Sequence, residues 1–510
     1  MTVKNRSLAR RLTRKFLKRP KSKSRRRKSS APHPAAAEDW FDVGRVTIDK
    51  LPENALQLIF GFYVDEAASI NGWHTLVHVC RKWRNVVFQS SRRLNLQLRC
   101  TSWLPVGRTL NIWPALPIVV QSSGHLTWGV ANIIAALEHN QRVCRITLTP
   151  IPGLQPRRVL AAMNEPFPAL THLRLKSEDG TPPVAPNSFL GGSAPRLRFL
   201  ELDRIPFPGL PKLLLSTTDL VDLRLWEIPH SGYISPETMV TCLSTLTRLE
   251  KLDLEFESPQ SRPVQKDPRP LRSKRSVLPA LTRFWFRGAS EYLEDLVAGI
   301  DAPLLHSFFI GFFYQLNFDT PQLAQFISRT QTLKLHNQPQ LMCFSDWGAS
   351  VTFLREGTSD RVLQLGILCR QSDWQLSSLA QVCASSFPYP LISTVKHLSI
   401  LEETRSPLHW QDDIRNSEWL ELLHPFTSVK NLYLSKELSP RIAPSLRELV
   451  GRRASEALPT LQNLFLEELH SPLARPVEEA IGRFVAARQL SNHPVAISQW
   501  ERDGYVWNDD

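Results

Sequence analysis

The sequence is poor in cysteine and contains no long apolar run. Its 7 cysteines are spread over 510 residues without a CxxC pair, and so sparse and odd a number describes neither a disulfide framework nor a zinc site. No apolar run approaches the roughly 18 to 20 residues that cross a bilayer, the longest candidates being short segments such as Ser307 to Phe313. We therefore expect a soluble protein of a reducing compartment with no transmembrane segment.

Catalytic motifs are absent as well. The sequence has no GxxxxGK phosphate loop, no HExxH zinc helix, no GxSxG nucleophile elbow and no GxGxxG nucleotide-binding loop. His74 and His78 stand at a helical i,i+4 interval, but two histidines do not make a complete metal set. We therefore expect a protein that is not an enzyme, with no catalytic residue, no metal and no cofactor.

Acidic residues are missing from the first 30 positions, and this absence explains the net charge of +14. Residues 1 to 30 hold 14 of the 62 Lys and Arg side chains, which leaves 48 basic against 48 acidic side chains in the rest of the chain. A balanced body has no global field to hold a phosphate backbone. Contact with nucleic acid is therefore expected only from the tail, residues 1–40, which we predict to be disordered.

Three functions fit this basic tail. The cluster Arg25, Arg26, Arg27 and Lys28 is typical of a nuclear import signal. Residues 8–16 also form an acid-free amphipathic stretch, similar to a mitochondrial presequence or an anchor to an anionic membrane. The third function is a solvated tail with weak, salt-sensitive contacts to polyanions. We expect the protein in the nucleus, the cytoplasm or both, with the mitochondrial alternative open.

Residues 51–87 have the spacing of a small helical module. Asp49 and Pro52 suit the first turn of a helix, and two apolar stripes at helical intervals follow. The first stripe consists of Leu56, Ile59, Phe60 and Tyr63, and the second of Leu76, Val79, Cys80, Trp83 and Val87. Fewer than about 50 residues bury little apolar surface, so a partner or a following domain is expected to complete the module.

At Leu51-Pro52, Ile59-Phe60 and residues 79–83 this module resembles the F-box. The chain as a whole resembles fungal, basidiomycete-like F-box proteins with degenerate leucine-rich repeats. The resemblance implies that a Skp-type adaptor binds the helices and joins the chain to a cullin-RING ubiquitin ligase. The adaptor contacts or their direct support are then Leu51, Pro52, Leu56, Ile59, Phe60, Leu76, Val79 and Trp83.

From Val143 onward a short pattern recurs, in which an apolar residue, two variable residues, a second apolar residue, one variable residue and a third apolar residue follow each other. Intact neighbouring copies lie roughly 23 to 34 residues apart, near or beyond the upper end of leucine-rich repeats, at about 20 to 29. The intact copies begin at Val143, Leu170, Leu197, Leu220, Leu249, Leu281, Leu305, Val395, Val429 and Leu461, and Leu333-Leu335 is a degraded copy.

Each copy predicts a strand with one apolar face, because residues two apart in a strand point to the same side. Parallel strands backed by helices such as residues 130–137 would bury this face and display the residue between the last two apolar positions. The displayed positions are Arg174, Glu201, Arg224, Asp253, Trp285, Phe309, Lys334, Ser399, Tyr433 and Phe465. The first four alternate in charge, so they are expected to pair laterally.

Trp285 and Phe309 are the candidate substrate-binding residues. Large aromatic side chains on a displayed face are costly in water, and they are among the residue types that anchor protein interfaces. A register shift of one position would instead exchange core and surface.

These patterns predict an α/β fold, in which a short all-α F-box module precedes an irregular leucine-rich-repeat solenoid of parallel strands backed by helices. The expected segments are the basic tail 1–40, the F-box 46–95, the repeats 96–470 with a proline-rich loop excursion at 255–279, and a C-terminal cap helix and tail at 471–510.

The predicted function is the substrate-recognition subunit of an SCF-type ubiquitin ligase, with the repeat surface capturing a protein target. The alternative is a nuclear or chromatin-associated repeat scaffold whose basic tail binds nucleic acid.

Overall fold

The computed structural model describes residues 51–66, 72–103, 105–123, 129–151, 155–178, 183–259, 275–333, 340–355, 361–369, 371–403, 416–467 and 474–501. The chain divides into two compact units, residues 1–56 and 57–510. All the elements below belong to the second unit, apart from the first residues of the first helix.

Three helices open the described chain: α1 (Glu53–Glu66), α2 (Trp73–Val77) and α3 (Arg81–Gln89). Between α2 and α3 the backbone turns, and the Cys80 Sγ accepts a hydrogen bond from the Trp83 amide at 3.5 Å, which caps α3. The second apolar stripe, which was predicted at helical intervals, is divided between α2 and α3. Val79 lies in the connection, because the chain leaves the helical conformation at Cys80.

In the repeat region, helices alternate with strands. The helices are α4 (Val106–Ile112), α5 (Val130–Leu137), α6 (Pro156–Ala161), α7 (Leu210–Ser216), α8 (Pro236–Leu243), α9 (Ser290–Ala298), α10 (Pro321–Arg329), α11 (Ser372–Ser385), α12 (Tyr389–Ser393), α13 (Asn416–Leu423), α14 (Ser439–Arg447) and α15 (Ala474–Leu490). The strands of the first half are β1 (Leu98–Thr101), β2 (Ile118–Ser123), β3 (Val143–Thr149), β4 (His172–Lys176), β5 (Phe199–Asp203), β6 (Asp222–Ile228), β7 (Lys251–Phe256), β8 (Ser276–Val277) and β9 (Arg283–Gly288). Those of the second half are β10 (Ile300–Asp301), β11 (Ser307–Phe313), β12 (Gln340–Ser345), β13 (Gly348–Leu354), β14 (Arg361–Leu368), β15 (His397–Glu402), β16 (Asn431–Leu434), β17 (Asn463–Glu467) and β18 (Ala496–Trp500).

Within the described ranges, 16 strands form one sheet in the order β1-β2-β3-β4-β5-β6-β7-β9-β11-β14-β13-β12-β15-β16-β17-β18. Every pair in this sheet is parallel except β14-β13 and β13-β12. Helices supply many of the crossovers that parallel strands require. The predicted α/β class is confirmed, and each of the ten intact copies of the apolar pattern lies at a strand.

The apolar positions of the pattern form the core. Leu173 and Leu175 of β4 have no exposed surface, and neither have Phe284 and Phe286 of β9. The residues between them lie on the opposite side of the sheet, which we call the displayed face. Two further strands, β1 and β2, precede Val143; the alternation of Leu94, Leu96, Leu98 and Cys100 was the signal for β1.

The degraded copy at Leu333-Leu335 was expected to be a strand, and the structure corrects this. Residues Gln331–Leu333 form a short 3-10 helix, and Lys334 lies outside the described residues. In its place, β12, β13 and β14 form an antiparallel meander. Its outer strands pair in parallel with β15 and β11. The displayed row therefore continues from Phe309 through Gln364, Thr352 and Leu341 to Ser399.

Two other segments differ in detail from the expected layout. In the predicted loop excursion 255–279, β7 continues to Phe256, and Ser276–Val277 pairs in parallel with Ile300–Asp301. At the C-terminal end, α15 is the predicted cap helix, but the chain then adds β18 to the sheet beside β17. The last described element is therefore a strand, and its side chains are mostly exposed.

Candidate functional site

The helical module leaves an apolar face of α1 exposed. Leu56 and Phe60, one turn apart, have no exposed surface. Leu58, Ile59 and Phe62 are 54%, 44% and 75% exposed. Leu58 and Ile59 each neighbour Phe62, because residues three and four apart in a helix share a face. We call these three residues the exposed face of α1. Apolar surface that a chain leaves uncovered is typical of a site that binds another protein.

On its Phe60 side, α1 packs against α3. The rings of Phe60 and Trp83 pack with their centroids 4.8 Å apart, and Leu76 of α2 is only 4% exposed. Val79, in the connection between α2 and α3, is 51% exposed. The module thus buries one row of apolar side chains and presents others to solvent.

The residues predicted to contact or support an adaptor fall into three groups. Pro52, Ile59 and Val79 are exposed, Leu51 and Trp83 are half-buried, and Leu56, Phe60 and Leu76 are buried. The first stripe lies on one continuous helix, and Ile59 is at its exposed edge beside the buried Leu56 and Phe60. Leu58 and Phe62 were not among the predicted residues; their i,i+4 interval is the signal that could have identified them.

Charged side chains on β4 to β7 pair across the displayed face. The Arg174 Nε lies 2.6 Å from Glu201 Oε1. Arg224 donates from Nε and Nη2 to the two carboxylate oxygens of Asp222, at 2.9 Å each. Its Nη1 lies 4.0 Å from Glu201 Oε2, and its Nε lies 3.7 Å from Asp253 Oδ2. The predicted lateral pairing is confirmed, and we call these residues the charge ladder.

The acids of the charge ladder are buried although they lie on the displayed face. Glu201 is 1% exposed and Asp253 is 2% exposed. Burial raises the pKa of both carboxyl groups, while Arg174 near Glu201 and Arg283 near Asp253 act in the opposite direction. Desolvation penalises the charged form of a buried carboxyl group, so the neighbouring arginines are needed to stabilise the ionised acids in the folded state. The charge ladder thus has a structural role.

A cavity of about 410 Å³ opens on the displayed face where β9, β11, β14, β13 and β12 run side by side. Trp285 and Phe309, which are register partners on β9 and β11, both line it. The guanidinium carbon of Arg361 lies 5.8 Å from the centre of the Phe309 ring. Trp347 and Glu403 add to the lining. The structure therefore brings the two predicted substrate-binding residues together, and it adds residues of the inserted meander that the repeat pattern does not identify.

Four further features bear on function: the import signal, metal binding, membrane insertion and cysteine reactivity. The candidate import signal Arg25, Arg26, Arg27 and Lys28 lies outside the described residues. Across the described ranges, no group of three or more His, Cys, Asp or Glu side chains is placed to hold a metal ion. No helix within those ranges combines the length and apolarity needed to cross a membrane. Burial raises the pKa of the Cys242 thiol to about 11, so this thiol is protonated at neutral pH and a poor nucleophile.

Comparisons with known proteins add a distant likeness to solved structures. No protein-family model matches the chain, and no curated protein matches it. Among solved structures, the chain is similar to the leucine-rich repeat-containing protein LegL7 from Legionella pneumophila. The identity is 12%, the match covers 76% of this chain and 97% of that chain, and the TM-score is 0.27. The fold described above rests on the strands and helices of this chain alone.

Proposed function

We propose that this chain is the substrate-recognition subunit of an SCF-type cullin-RING ubiquitin ligase. The observation that carries the proposal is the exposed face of α1, because Leu58, Ile59 and Phe62 are left uncovered in a module whose sequence resembles the F-box. Covering apolar surface with a partner removes it from water, which favours association. The proposed partner is a Skp-type adaptor, which joins the chain to the cullin.

The second half of the proposal concerns the displayed face of the sheet. Trp285 and Phe309 line a cavity there, and aromatic residues are frequent anchors of protein interfaces. A protein target held at this face would be carried to the ligase through the helical module. Ubiquitin transfer is then favoured because the target's lysines are at a high effective concentration beside the loaded enzyme. In this mechanism the chain itself is not an enzyme and uses no cofactor.

The test is co-purification of the full chain with a Skp-type adaptor. We expect Ile59→Asp and Phe62→Asp each to abolish recovery of the adaptor, because a charge would have to be desolvated in the interface. Leu316→Asp is the matched control, since Leu316 is 77% exposed, like Phe62 at 75%, but lies in the repeat region. Unchanged recovery with both module variants would contradict the proposal. The double variant Trp285→Ser and Phe309→Ser should retain the adaptor and lose the target.

The alternative function rests on the charge of the tail. Residues 1–30 contain 14 Lys and Arg and no acid, which suits a nuclear or chromatin-associated scaffold whose tail contacts nucleic acid. Salt-dependent binding of duplex DNA that disappears when residues 1–30 are deleted, together with no recovered adaptor, would favour this alternative. The proposed location is the nucleus, the cytoplasm or both.

A further inference from the structure

The displayed face of β1 to β5 carries more bases than acids. The side chains at its strand positions that are charged at neutral pH are four bases and two acids, namely Arg99, Arg145, Arg174, Lys176, Glu201 and Asp203. Both acids are already paired, since the Arg174 Nε lies 2.6 Å from Glu201 Oε1 and the Lys176 Nζ lies 3.1 Å from Asp203 Oδ2. Arg99 and Arg145 are therefore the bases in excess on this part of the face.

A third arginine without a carboxylate partner lies at the edge of the same strands. Arg198 immediately precedes β5, and its amide donates to the Thr171 carbonyl at 2.8 Å. Among the described residues, no ion pair or hydrogen bond joins the side chain of Arg99, Arg145 or Arg198 to a carboxylate. Arg198 is exposed, and Arg99 and Arg145 are half-buried. We call these three residues the unpaired arginines.

The charges around His172 show that the unpaired arginines are not compensated locally. His172 of β4 is the register partner of Arg145 and follows Thr171, which binds the Arg198 amide. Burial lowers the pKa of this imidazole, and the positive charges of Arg145 and Arg198 lower it further. His172 is thus mostly uncharged at neutral pH, and its ring stacks on Phe199 with the centroids 6.0 Å apart. An apolar surface therefore lies beside the unpaired arginines.

The unpaired arginines are spread across the sheet. Arg99 and Arg145 lie two strands apart at one register level, through Val119 of β2, and Arg198 lies a further two strands along. Adjacent strands are about 4.8 Å apart, so the backbones of successive unpaired arginines are roughly 10 Å apart. Cations at this spacing favour carboxylates spread along a segment over a single phosphate, which places its charge at one point.

We infer that the unpaired arginines bind an acidic segment of the protein target that carries two or more Asp or Glu side chains. The inference rests on the proposed function, since it names the chemistry of the target that the displayed face captures. Guanidinium groups and carboxylates form charge-assisted hydrogen bonds in planar geometry. Complementary charge also speeds the encounter of two proteins and selects against partners of the wrong sign.

The experiment selects binders of the purified full chain from a library of random unmodified peptides. The library is first depleted on an immobilised synthetic peptide of residues 1–30, because the 14 Lys and Arg there would capture acidic sequences by themselves. We expect the enriched peptides to contain two or more Asp or Glu. Their binding, measured by fluorescence anisotropy of the labelled peptides, should weaken as the salt concentration rises.

Substitutions locate the binding site on the chain. Arg145→Gln and Arg198→Gln should each weaken binding of the enriched peptides by about threefold, as expected for one partly exposed ion pair, and the double variant by about tenfold. Arg447→Gln is the matched control, because Arg447 is an exposed arginine at the end of helix α14 and lies outside the sheet. This control should bind like the wild type. Since Arg198 is exposed, its variant keeps the test decisive if Arg145→Gln fails to fold.

Four outcomes would overturn the inference. The first two are that no peptide is enriched and that the enriched peptides lack Asp and Glu. The third is that acidic peptides bind the double variant as tightly as the wild type. The fourth is a parallel selection in which only phosphorylated peptides bind. Duplex DNA that binds the wild type but not the double variant, without any enriched peptide, would assign the unpaired arginines to nucleic acid instead.

Adaptor recovery is measured on the same protein samples. If acidic peptides bind as expected and no adaptor is recovered, the ligase proposal fails while the assignment of the unpaired arginines stands. If the adaptor is recovered and the peptide selection fails, the assignment of the unpaired arginines fails alone.

Discussion

Arg224 is the centre of the charge ladder, and replacing it with methionine tests whether the acids of the displayed face depend on their arginines. Methionine keeps an unbranched side chain and removes the guanidinium group. Three carboxylates then lose a cationic neighbour: Asp222, Glu201 and Asp253, which are 9%, 1% and 2% exposed. Arg174 still pairs with Glu201 and Arg283 still lies 3.8 Å from Asp253.

The expected loss of stability follows from the carboxylates that stay buried after the arginine is removed. Removing one partner of a buried ion pair costs about 3 to 5 kcal/mol, because the other charge stays in a medium that solvates it poorly. Arg224 itself is 25% exposed at its side chain, and two of the acids keep another arginine, so we expect the lower end, about 3 kcal/mol. A loss of this size makes opening of the local structure roughly a hundred times more frequent than in the wild type.

The cost should depend on pH. The folded-state pKa values of Glu201 and Asp253 are raised by burial. The folded state therefore binds more protons than the unfolded state between the ordinary carboxylate pKa and the raised one, and stability falls as pH rises through that window. Because Arg224 lowers both pKa values, its loss raises them further. The penalty of Arg224→Met should thus be largest at neutral pH and shrink toward about pH 4, where unfolded carboxylates also take up protons.

The assay is native-state hydrogen exchange of the amides in β5, β6 and β7, corrected for intrinsic exchange and compared at neutral and acidic pH. This readout reports local opening, which suits a repeat array better than one global transition. Arg248→Met is the control, because the Arg248–Asp219 pair has the same chemistry at 2.8 Å but is 64% and 44% exposed; it should change opening by less than about 0.5 kcal/mol. Equal effects of the two variants, or a penalty that grows on acidification, would refute the reasoning.

Two other predictions concern the ends of the chain. Arg488 has no exposed surface and donates to the carbonyls of Ala454, Pro459 and Leu461 at 2.9, 3.0 and 3.2 Å; Arg488→Met should destabilise α15 by about 2 to 4 kcal/mol, since those acceptors lose their donor. Urea denaturation with the exposed Arg483→Met as control checks this, and equal midpoints would contradict it. A fluorescent reporter fused to residues 1–35 should accumulate in the nucleus, because the cluster Arg25–Lys28 is typical of an import signal; mitochondrial signal would support the presequence alternative, and diffuse cytosolic signal would remove both.

The regular repeats were predictable from sequence because their signal is local. A strand with Leu173 and Leu175 on one side can be identified from two positions, since alternation is a property of the extended backbone. The alternation also gave the register, so Trp285 and Phe309 were expected on the displayed face, where the structure places them. The opposite charges of Arg174 and Glu201 were expected to pair for the same reason.

The irregular parts were not predictable in this way. The sequences of β12 to β14 lack the repeat spacing, and the place of these strands between β11 and β15 depends on which strand edges are free to pair. Gly311 and Gly366, which both line the cavity, are register partners on β11 and β14 although they are about 55 positions apart in the chain. No local sequence pattern predicts which residues become partners on strands that are distant in the chain.

In the helical module, too, some features were predictable from sequence and others were not. Its helical spacing follows from sequence, and so does its excess of apolar residues. Which of them are covered was decided by packing, because Leu56 and Phe60 lie on the side that is buried while Ile59 and Phe62 lie on the exposed side. The sequence by itself determined the periodic strands, the helices and the composition of the surfaces. The tertiary structure alone decided which apolar side chains stay exposed and which residues enclose the cavity, because burial depends on contacts between segments that are distant in the chain.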